Sequence, residues 1–150
     1  MILYRKAFSM DPRCARYSVT IENRMDSHYP NDVLPGGTSV ELFGVASTKM
    51  AMMLDGAIGF MRAFGELEFV APAYQGDFVR VTAQVLTVGR TSRRRSYEAY
   101  VAPRVYGMSD NSSHREVLDE PILIARGVGV AVTPLESQRR TPAECRPGQP

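Results

Sequence analysis

One segment of this sequence has the apolar spacing of a long helix, and the apolar segments that follow it alternate like strands. From residue 40 to residue 54, apolar side chains recur three and four positions apart, which is the period of an α-helix. Thr38 or Ser39 is the expected N-cap of this helix, and Gly56 is expected to end it. Because the helix is apolar over much of its circumference, other elements must cover it.

Strand-like alternation occupies much of the remaining chain. Val79, Val81 and Val85 mark one face of a long strand, with polar side chains between them. A corner rich in proline and glycine precedes this strand, and a basic turn follows it. The predicted strands cover residues 17–22, 58–63, 65–70, 78–88, 92–105 and 121–132. These elements predict an α+β fold in which a curved antiparallel sheet wraps a long central helix.

The length and composition of the chain fit one domain. A chain of 150 residues with 44% hydrophobic and 23% charged residues can bury one core. We expect this domain to span residues 1–135, with a polar hairpin insertion at 106–120. The proline-containing tail at 136–150 is expected to be flexible.

The charge of the chain is concentrated in one place. The net charge is only +2, yet four arginines lie within residues 90–95. Such a local cluster suits a phosphate group better than the wide surface of a nucleic acid, so no nucleic-acid partner is predicted. His28 and His114 lie far apart in the sequence without Cys or carboxylate residues at ligand spacing, so no metal site is predicted.

The two cysteines bear on the cellular location. Cys14 and Cys145 lie near opposite ends of a chain that has no signal-like or membrane-spanning segment. This usage fits a reducing compartment, so we expect free thiols, a cytoplasmic location and no membrane partner.

The basic turn is the first candidate site, and it consists of Gly89, Arg90, Thr91, Ser92 and Arg93. Guanidinium groups bind phosphates through paired donors, so Arg90 and one flanking arginine are the better phosphate ligands. Consecutive strand residues point to opposite faces, so the whole cluster cannot reach one phosphate. The other interpretation is an arginine-rich edge strand that opposes aggregation.

The loop before the helix is the second candidate site. Asp26, His28, Tyr29 and Asp32 supply carboxylates, an imidazole and a phenol next to a helix N-terminus. Backbone donors at that terminus could polarise a carbonyl group and stabilise an enolate. Against this, residues of these types are also common in ordinary exposed turns.

One face of the helix is the third candidate site. Glu41, Val45 and Lys49 are spaced by four and share a stripe. Glu41 is the only carboxylate on the helix before Asp55, and beside a substrate carbonyl it could act as a general base. The other interpretation is that Glu41 complements the helix dipole.

In their order and spacing, these segments resemble the hotdog-fold acyl-CoA enzymes, and among them the 3-aminobutyryl-CoA and β-alanyl-CoA ammonia-lyases. The resemblance extends from about residue 26 to residue 134. The segments that carry it include Asp26-Ser27-His28-Tyr29, Leu42-Phe43-Gly44, Asp55-Gly56, Gly76-Asp77-Phe78, Val88-Gly89 and Thr91-Ser92-Arg93.

The resemblance implies a hotdog subunit that forms a homo-oligomer, either a dimer or a dimer-based hexamer. It implies an acyl-CoA or acyl-carrier thioester bound at the dimer interface, with coenzyme A as part of the substrate and no tightly bound cofactor. The implied reaction is the reversible removal of ammonia from a 3-aminoacyl-CoA. The basic turn would then bind the coenzyme, while the loop and Glu41 would be catalytic.

The sequence departs from the family pattern on the helix. The pattern has an aspartate where this chain has Val45 and a glutamate where it has Lys49. Glu41 and Asp32 are the carboxylates that could replace them. Three hypotheses follow: a lyase acting on ammonia or a similar β-substituent, a thioesterase with Glu41 as base, and a thioester-binding protein without catalysis.

Overall fold

Helix α1 (Gly36–Asp55) lies across one face of a five-stranded antiparallel sheet. The computed structural model describes residues 11–27, 29–102 and 120–148. The sheet order is β1-β3-β4-β5-β2, so β1 and β2 are the edge strands. The strands are β1 (Ser18–Arg24), β2 (Phe60–Phe69), β3 (Phe78–Val88), β4 (Ser92–Val101) and β5 (Ile122–Val132). The predicted α+β class with one long helix and an antiparallel sheet is confirmed.

The N-terminal boundary of α1 differs from the prediction. Helix α1 begins after Pro35, and the N–H of Thr38 already donates to the carbonyl of Pro35 at 2.9 Å. The predicted caps Thr38 and Ser39 therefore lie inside the helix, and Pro35 occupies the N-cap position with an extended backbone. The predicted C-terminus is confirmed, since Gly56 has φ of 69° and donates to the carbonyl of Met52.

Strand β2 is continuous where the sequence predicted two strands, 58–63 and 65–70. Its pairing with β5 shifts register between Met61 and Ala63 and again between Phe64 and Glu66. These irregularities accommodate Gly65 without ending the strand, because a bulge bends a strand rather than breaking it.

The core lies between α1 and the inner face of the central strands. Every second residue of β4, from Arg93 to Val101, is buried on the face toward the helix. Tyr97 stacks on Phe43 of α1 with ring centroids 5.3 Å apart, and Phe64 of β2 meets both rings. Each buried aromatic ring contributes roughly 2–3 kcal/mol through removal from water. The same inner face carries Arg93 and Arg95, so the core contains two cationic side chains.

The described part of the C-terminal segment packs against the end of α1. The backbone N–H groups of Arg139 and Arg140 donate to the carbonyl of Asp55 at 2.8 and 3.1 Å. Cys145 is 1% exposed and joins the core. The domain boundary at 135 and the flexibility of the tail at 136–150 stay predictions, and these contacts extend the packed residues past 135.

The segment predicted as a polar insertion, 106–120, lies outside the described residues except for its last residue. The strand predicted over 92–105 is observed as Ser92–Val101.

Cys14 and Cys145 are free thiols, and both are buried. They lie side by side, since each thiol perturbs the other. Burial is the main cause that raises the pKa of Cys145 to about 12, and the neighbouring Cys14 adds to it. The segments that carry Cys14 and Cys145 therefore meet in the core through neutral thiols.

Candidate functional site

The basic turn is organised by a buried ion pair. Arg93 donates from Nη2 to Oδ1 of Asp55 at 2.8 Å and from Nε to Oδ2 at 2.9 Å, and both side chains are fully buried. Thr141 and Thr133 also donate to the Asp55 carboxylate. Burial alone would raise the pKa of Asp55, but the hydrogen bonds from Arg93 and Thr141 hold it below its usual value.

This ion pair engages one member of the predicted phosphate site. Arg93 donates to Asp55 and to the carbonyls of Gly89 and Ser92, and none of its side chain is exposed. In this arrangement Arg93 shapes the turn from within, and phosphate binding by the turn stays a prediction. The edge-strand interpretation is wrong, because β4 pairs with β3 and β5 on its two sides.

The outer surface of the turn borders a cavity of about 450 Å³. Arg90 and Arg146 line this cavity, and both are exposed residues. Gln138 fixes the turn by donating to the carbonyl of Arg90 at 2.9 Å. A Cβ at Gly89 would meet the Ser92 hydroxyl, so any other residue there would require that hydroxyl to rotate. The packed tail thus brings a second guanidinium, that of Arg146, to the predicted phosphate site.

The side chains proposed as catalytic in the loop before α1 are exposed to solvent. Asp26, Tyr29 and Asp32 are all exposed, and Tyr29 keeps 60% of its surface accessible. Ser27 holds the loop by donating to the carbonyl of Val33 at 2.9 Å and accepting from the N–H of Tyr29 at 3.1 Å. Asp32 has φ of 57°, the left-handed region that non-glycine residues adopt only when their surroundings favour it. His28 lies outside the described residues.

The predicted stripe on α1 faces outward. Glu41 and Lys49 are exposed, and Val45 is 51% exposed although it is apolar. The Lys49 ammonium group donates to the carbonyl of Thr20 on β1 at 3.0 Å. Among the described residues, no hydrogen bond or ion pair joins Glu41 to Asp26, Tyr29 or Asp32. The candidate catalytic groups therefore form two exposed sets rather than one connected cluster in a single chain.

The loop and the basic turn lie at opposite ends of α1. The loop leads into Gly36, whereas Arg93 of the turn contacts Asp55, the last residue of the helix. A helix of 20 residues is about 30 Å long. One chain therefore does not bring its own loop and its own turn to the same small group of substrate atoms.

Two further cavities flank α1. One, of about 510 Å³, lies at the helix N-terminus and is lined by Gly36, Ser39 and Phe69, with other mainly apolar residues. The first N–H groups of a helix have no partner within it, so this cavity offers backbone donors next to an apolar wall.

The other cavity, of about 260 Å³, lies beside the middle of the helix. It is lined by Gly44, Ser47, Thr48, Ala51, Gly59, Phe60, Met61, Arg95 and Ala131. Arg95 is fully buried there and donates from Nη1 to the Ser47 carbonyl at 2.9 Å and to the Ser47 hydroxyl at 2.6 Å. The sequence did not identify this site, although the strict alternation of β4 with Tyr97 and Val101 places Arg95 on the core face.

The described residues contain neither a candidate metal cluster nor a membrane-spanning helix. No group of three or more His, Cys, Asp or Glu residues in the described ranges could hold a metal ion. No helix among those ranges is both long enough and apolar enough to cross a membrane.

Comparison with known proteins relates this arrangement to one family. Residues 31–106 match the family model of the thioesterase superfamily. The 3-aminobutyryl-CoA ammonia lyase of Acetoanaerobium sticklandii is 34% identical to this chain over 117 residues, which cover 77% of this chain and 90% of that protein. The predicted resemblance is confirmed.

Solved structures show the same fold. β-Alanyl-CoA:ammonia lyase from Clostridium propionicum superposes with a TM-score of 0.79 at 22% identity, covering 87% of this chain and 97% of that one. A hexameric hotdog-fold thioesterase of Campylobacter jejuni superposes with a TM-score of 0.65 at 16% identity, covering 83% and 89%. The chain therefore belongs to the thioesterase superfamily of hotdog-fold proteins, and it is a homologue of 3-aminobutyryl-CoA ammonia lyase.

Proposed function

We propose that the protein is an acyl-CoA lyase that reversibly eliminates ammonia, or a similar β-substituent, from a 3-substituted acyl-CoA. The observation that carries this proposal is the 34% identity to 3-aminobutyryl-CoA ammonia lyase over 90% of that enzyme's length. The protein would therefore be a carbon–nitrogen lyase.

The coenzyme A part of the substrate would bind at the basic turn. The exposed guanidinium groups of Arg90 and Arg146 supply paired donors for its phosphates. Gly89, Thr91 and Ser92 complete the site with backbone and hydroxyl groups, and Arg93 supports the turn from the core. Coenzyme A enters as part of the substrate, so the proposal requires no separate bound cofactor.

The chemistry would begin with removal of a proton from the α carbon. The electron pair of the broken C–H bond moves to the thioester carbonyl and forms an enolate, which backbone N–H groups at a helix N-terminus stabilise. The amino group is protonated, the enolate's electron pair forms the Cα–Cβ double bond as the carbonyl re-forms, and the C–N bond breaks so that ammonia leaves with that bond's electron pair. The products are an enoyl-CoA and ammonia.

Glu41 is the proposed base, because it is the exposed carboxylate on the face that carries Val45 and Lys49. The loop residues Asp26, His28, Tyr29 and Asp32 are proposed as the other acid, base and positioning groups.

The distance between the loop and the turn supports a site shared between subunits. Since the two lie at opposite ends of α1, the loop of one subunit and the turn of another could meet one thioester. Strand β2 is an edge strand whose Phe60, Leu67 and Phe69 are exposed in the single chain, a surface suited to association. We propose a homodimer or a dimer-based hexamer, which light scattering coupled to gel filtration would identify by mass.

Thioester hydrolysis is a second candidate function. It is favoured by the thioesterase family match and by the absence of carboxylates at Val45 and Lys49, where the ammonia-lyase pattern has them. Glu41 would then activate water for attack on the thioester carbonyl, and free coenzyme A would be released. A protein that only binds thioesters is the third outcome.

One incubation separates these functions. The purified protein is mixed with crotonyl-CoA and ammonium salt, and the products are followed by mass spectrometry. An adduct heavier by one ammonia supports the lyase. Release of free coenzyme A in its place supports the thioesterase. Unchanged crotonyl-CoA, with binding shown by calorimetry, would contradict both activities on this substrate.

A further inference from the structure

Arg95 is a buried cation without a counter-charge of its own. Its side chain is fully buried, and its Nε and Nη2 atoms have no hydrogen-bond partner among the described residues. Only Nη1 is engaged, by two oxygens of Ser47 that carry no formal charge. Guanidinium groups stay protonated in proteins, so the positive charge is retained at this depth. Uncompensated charge in a protein interior is costly, which makes an anion a strongly favoured neighbour.

The neighbouring groups do not supply that anion. The Asp55 carboxylate influences Arg95, but its oxygens are already engaged by Arg93, Thr133 and Thr141. The phenol of Tyr97 lies near Arg95 and is itself held neutral, because burial raises its pKa. Arg93 lies on the same face of β4, but its charge is offset by its ion pair with Asp55. Among the described residues, no carboxylate forms an ion pair with Arg95, so its positive charge is the one left without a counter-charge in this part of the core.

The space next to Arg95 is large enough for a small acyl group. The mid-helix cavity of about 260 Å³ is lined by Arg95, by small residues such as Gly44 and Ala51, and by apolar side chains. None of its lining residues carries a carboxylate. The hydroxyl-bearing residues Ser47 and Thr48 also line the cavity. A mainly apolar wall with two such residues and one cationic group suits a short carbon chain that ends in an anion.

The cavity also lies close to the basic turn. Arg93 and Arg95 are alternate residues of β4, so both side chains are on the helix-facing side of the strand. Arg95 is three residues from Ser92 of the turn, about 10 Å along an extended strand. The extended pantetheine arm of a coenzyme A bound at the turn can cover such a span.

We propose that Arg95 binds a carboxylate at the end of the acyl chain, so that the preferred substrates are thioesters of dicarboxylic acids. This inference rests on the proposed binding of acyl-CoA. Nε and Nη2 would donate to the carboxylate oxygens, a pairing that a planar guanidinium makes well. A neutral thioester carbonyl in the same place would leave the charge of Arg95 uncompensated, which favours the carboxylate.

The test compares two thioesters of equal chain length. Glutaryl-CoA carries a terminal carboxylate, and pentanoyl-CoA carries a methyl group in its place. Titration calorimetry with the wild-type protein should show glutaryl-CoA binding at least about tenfold more tightly, as expected for hydrogen bonds between charged groups. Arg95→Met keeps a long side chain without the charge and should abolish this preference while leaving the affinity for pentanoyl-CoA within about twofold.

Arg94→Met is the matched control, because Arg94 is the next residue of β4 and points to the other face of the sheet. It should retain the preference for glutaryl-CoA. If Arg95→Met fails to fold, the comparison of the two thioesters with the wild-type protein still shows whether a terminal carboxylate is preferred.

Equal binding of both thioesters by the wild-type protein would overturn the carboxylate site and leave acyl-CoA binding intact. That result is also expected if a carboxylate from a second copy of the chain neutralises Arg95. A preference that survives Arg95→Met would overturn the role of Arg95. Binding of neither thioester would overturn the proposed function together with the inference.

Discussion

Arg93 and Asp55 form a fully buried ion pair that joins the start of β4 to the last residue of α1, with Nη2 and Oδ1 2.8 Å apart. Thr133, the residue after β5, and Thr141 also donate to the Asp55 carboxylate, so the end of β5 and the C-terminal segment meet at the same group. One carboxylate therefore fixes the helix end, the basic turn and the tail relative to one another.

Asp55→Asn should destabilise the fold strongly. The variant leaves the Arg93 charge buried without a partner, and such a loss costs about 3–5 kcal/mol. Urea denaturation should show a free energy of unfolding lower by that amount. The double variant Asp55→Leu/Arg93→Met removes both charges and should recover part of the loss. A single variant with wild-type stability would show that the pair contributes nothing to the fold.

Protonation of Asp55 should lower the free energy of unfolding in acid. The pKa of Asp55 is lower in the folded protein than its ordinary value, so its ionised form favours folding. The contribution is complete above the unfolded-state pKa of about 3.9 and is lost as the pH falls through the lower folded-state value. Unfolding free energies measured from pH 6 downward should fall more steeply below about pH 4 in the wild type than in Asp55→Leu/Arg93→Met. Parallel curves for the two proteins would contradict this role of Asp55.

Arg90 and Arg146 should contribute separately to coenzyme A binding. Both line the cavity beside the turn, and a charge-assisted hydrogen bond to phosphate is worth about 1.5–3 kcal/mol. Arg90→Gln and Arg146→Gln should each weaken binding of free coenzyme A by roughly tenfold or more in calorimetry, with a smaller salt dependence than the wild type. Arg139→Gln is the control, since Arg139 is an exposed arginine of the same segment whose backbone, not its side chain, holds the tail. Equal effects of all three would indicate a general loss of positive charge.

The sequence predicted the helix, the antiparallel sheet and the family, because these depend on local periodicity and on the order of short motifs. It could not predict that the tail packs on α1. The composition of the tail is rich in proline, and it does not show that the backbone of the tail donates hydrogen bonds to the carbonyl of Asp55. The sequence also could not show which arginines of β4 are buried in the core and which face outward. Strand alternation puts Arg93 and Arg95 on one face, but only the register against α1 shows that this face is the core.

The candidate catalytic groups illustrate the same limit. Spacing by four placed Glu41, Val45 and Lys49 on one stripe of α1, and the structure shows that this stripe is exposed. Proximity between Glu41 and the loop residues is a tertiary property, and in the single chain they are not joined. A single sequence shows even less about which residues of two subunits come together. The proposed site between subunits could therefore not be predicted from the sequence alone.

Glu41→Gln should abolish most of the proposed lyase activity while leaving the fold intact. The side chain is exposed, so the substitution should change the free energy of unfolding by less than about 0.5 kcal/mol. Loss of a positioned base typically lowers turnover by about 10²–10⁴-fold. Because an amide cannot accept the α-proton, kcat for ammonia addition to crotonyl-CoA should fall by this factor while KM changes little. Glu136→Gln, a change at another exposed carboxylate, should behave like the wild type.

Solvent deuterium exchange at the α carbon provides a second readout for Glu41, since it requires the base but not departure of the amine. If Glu41→Gln keeps full exchange and full turnover, the base lies elsewhere, and Asp32 in the loop before α1 becomes the next carboxylate to replace.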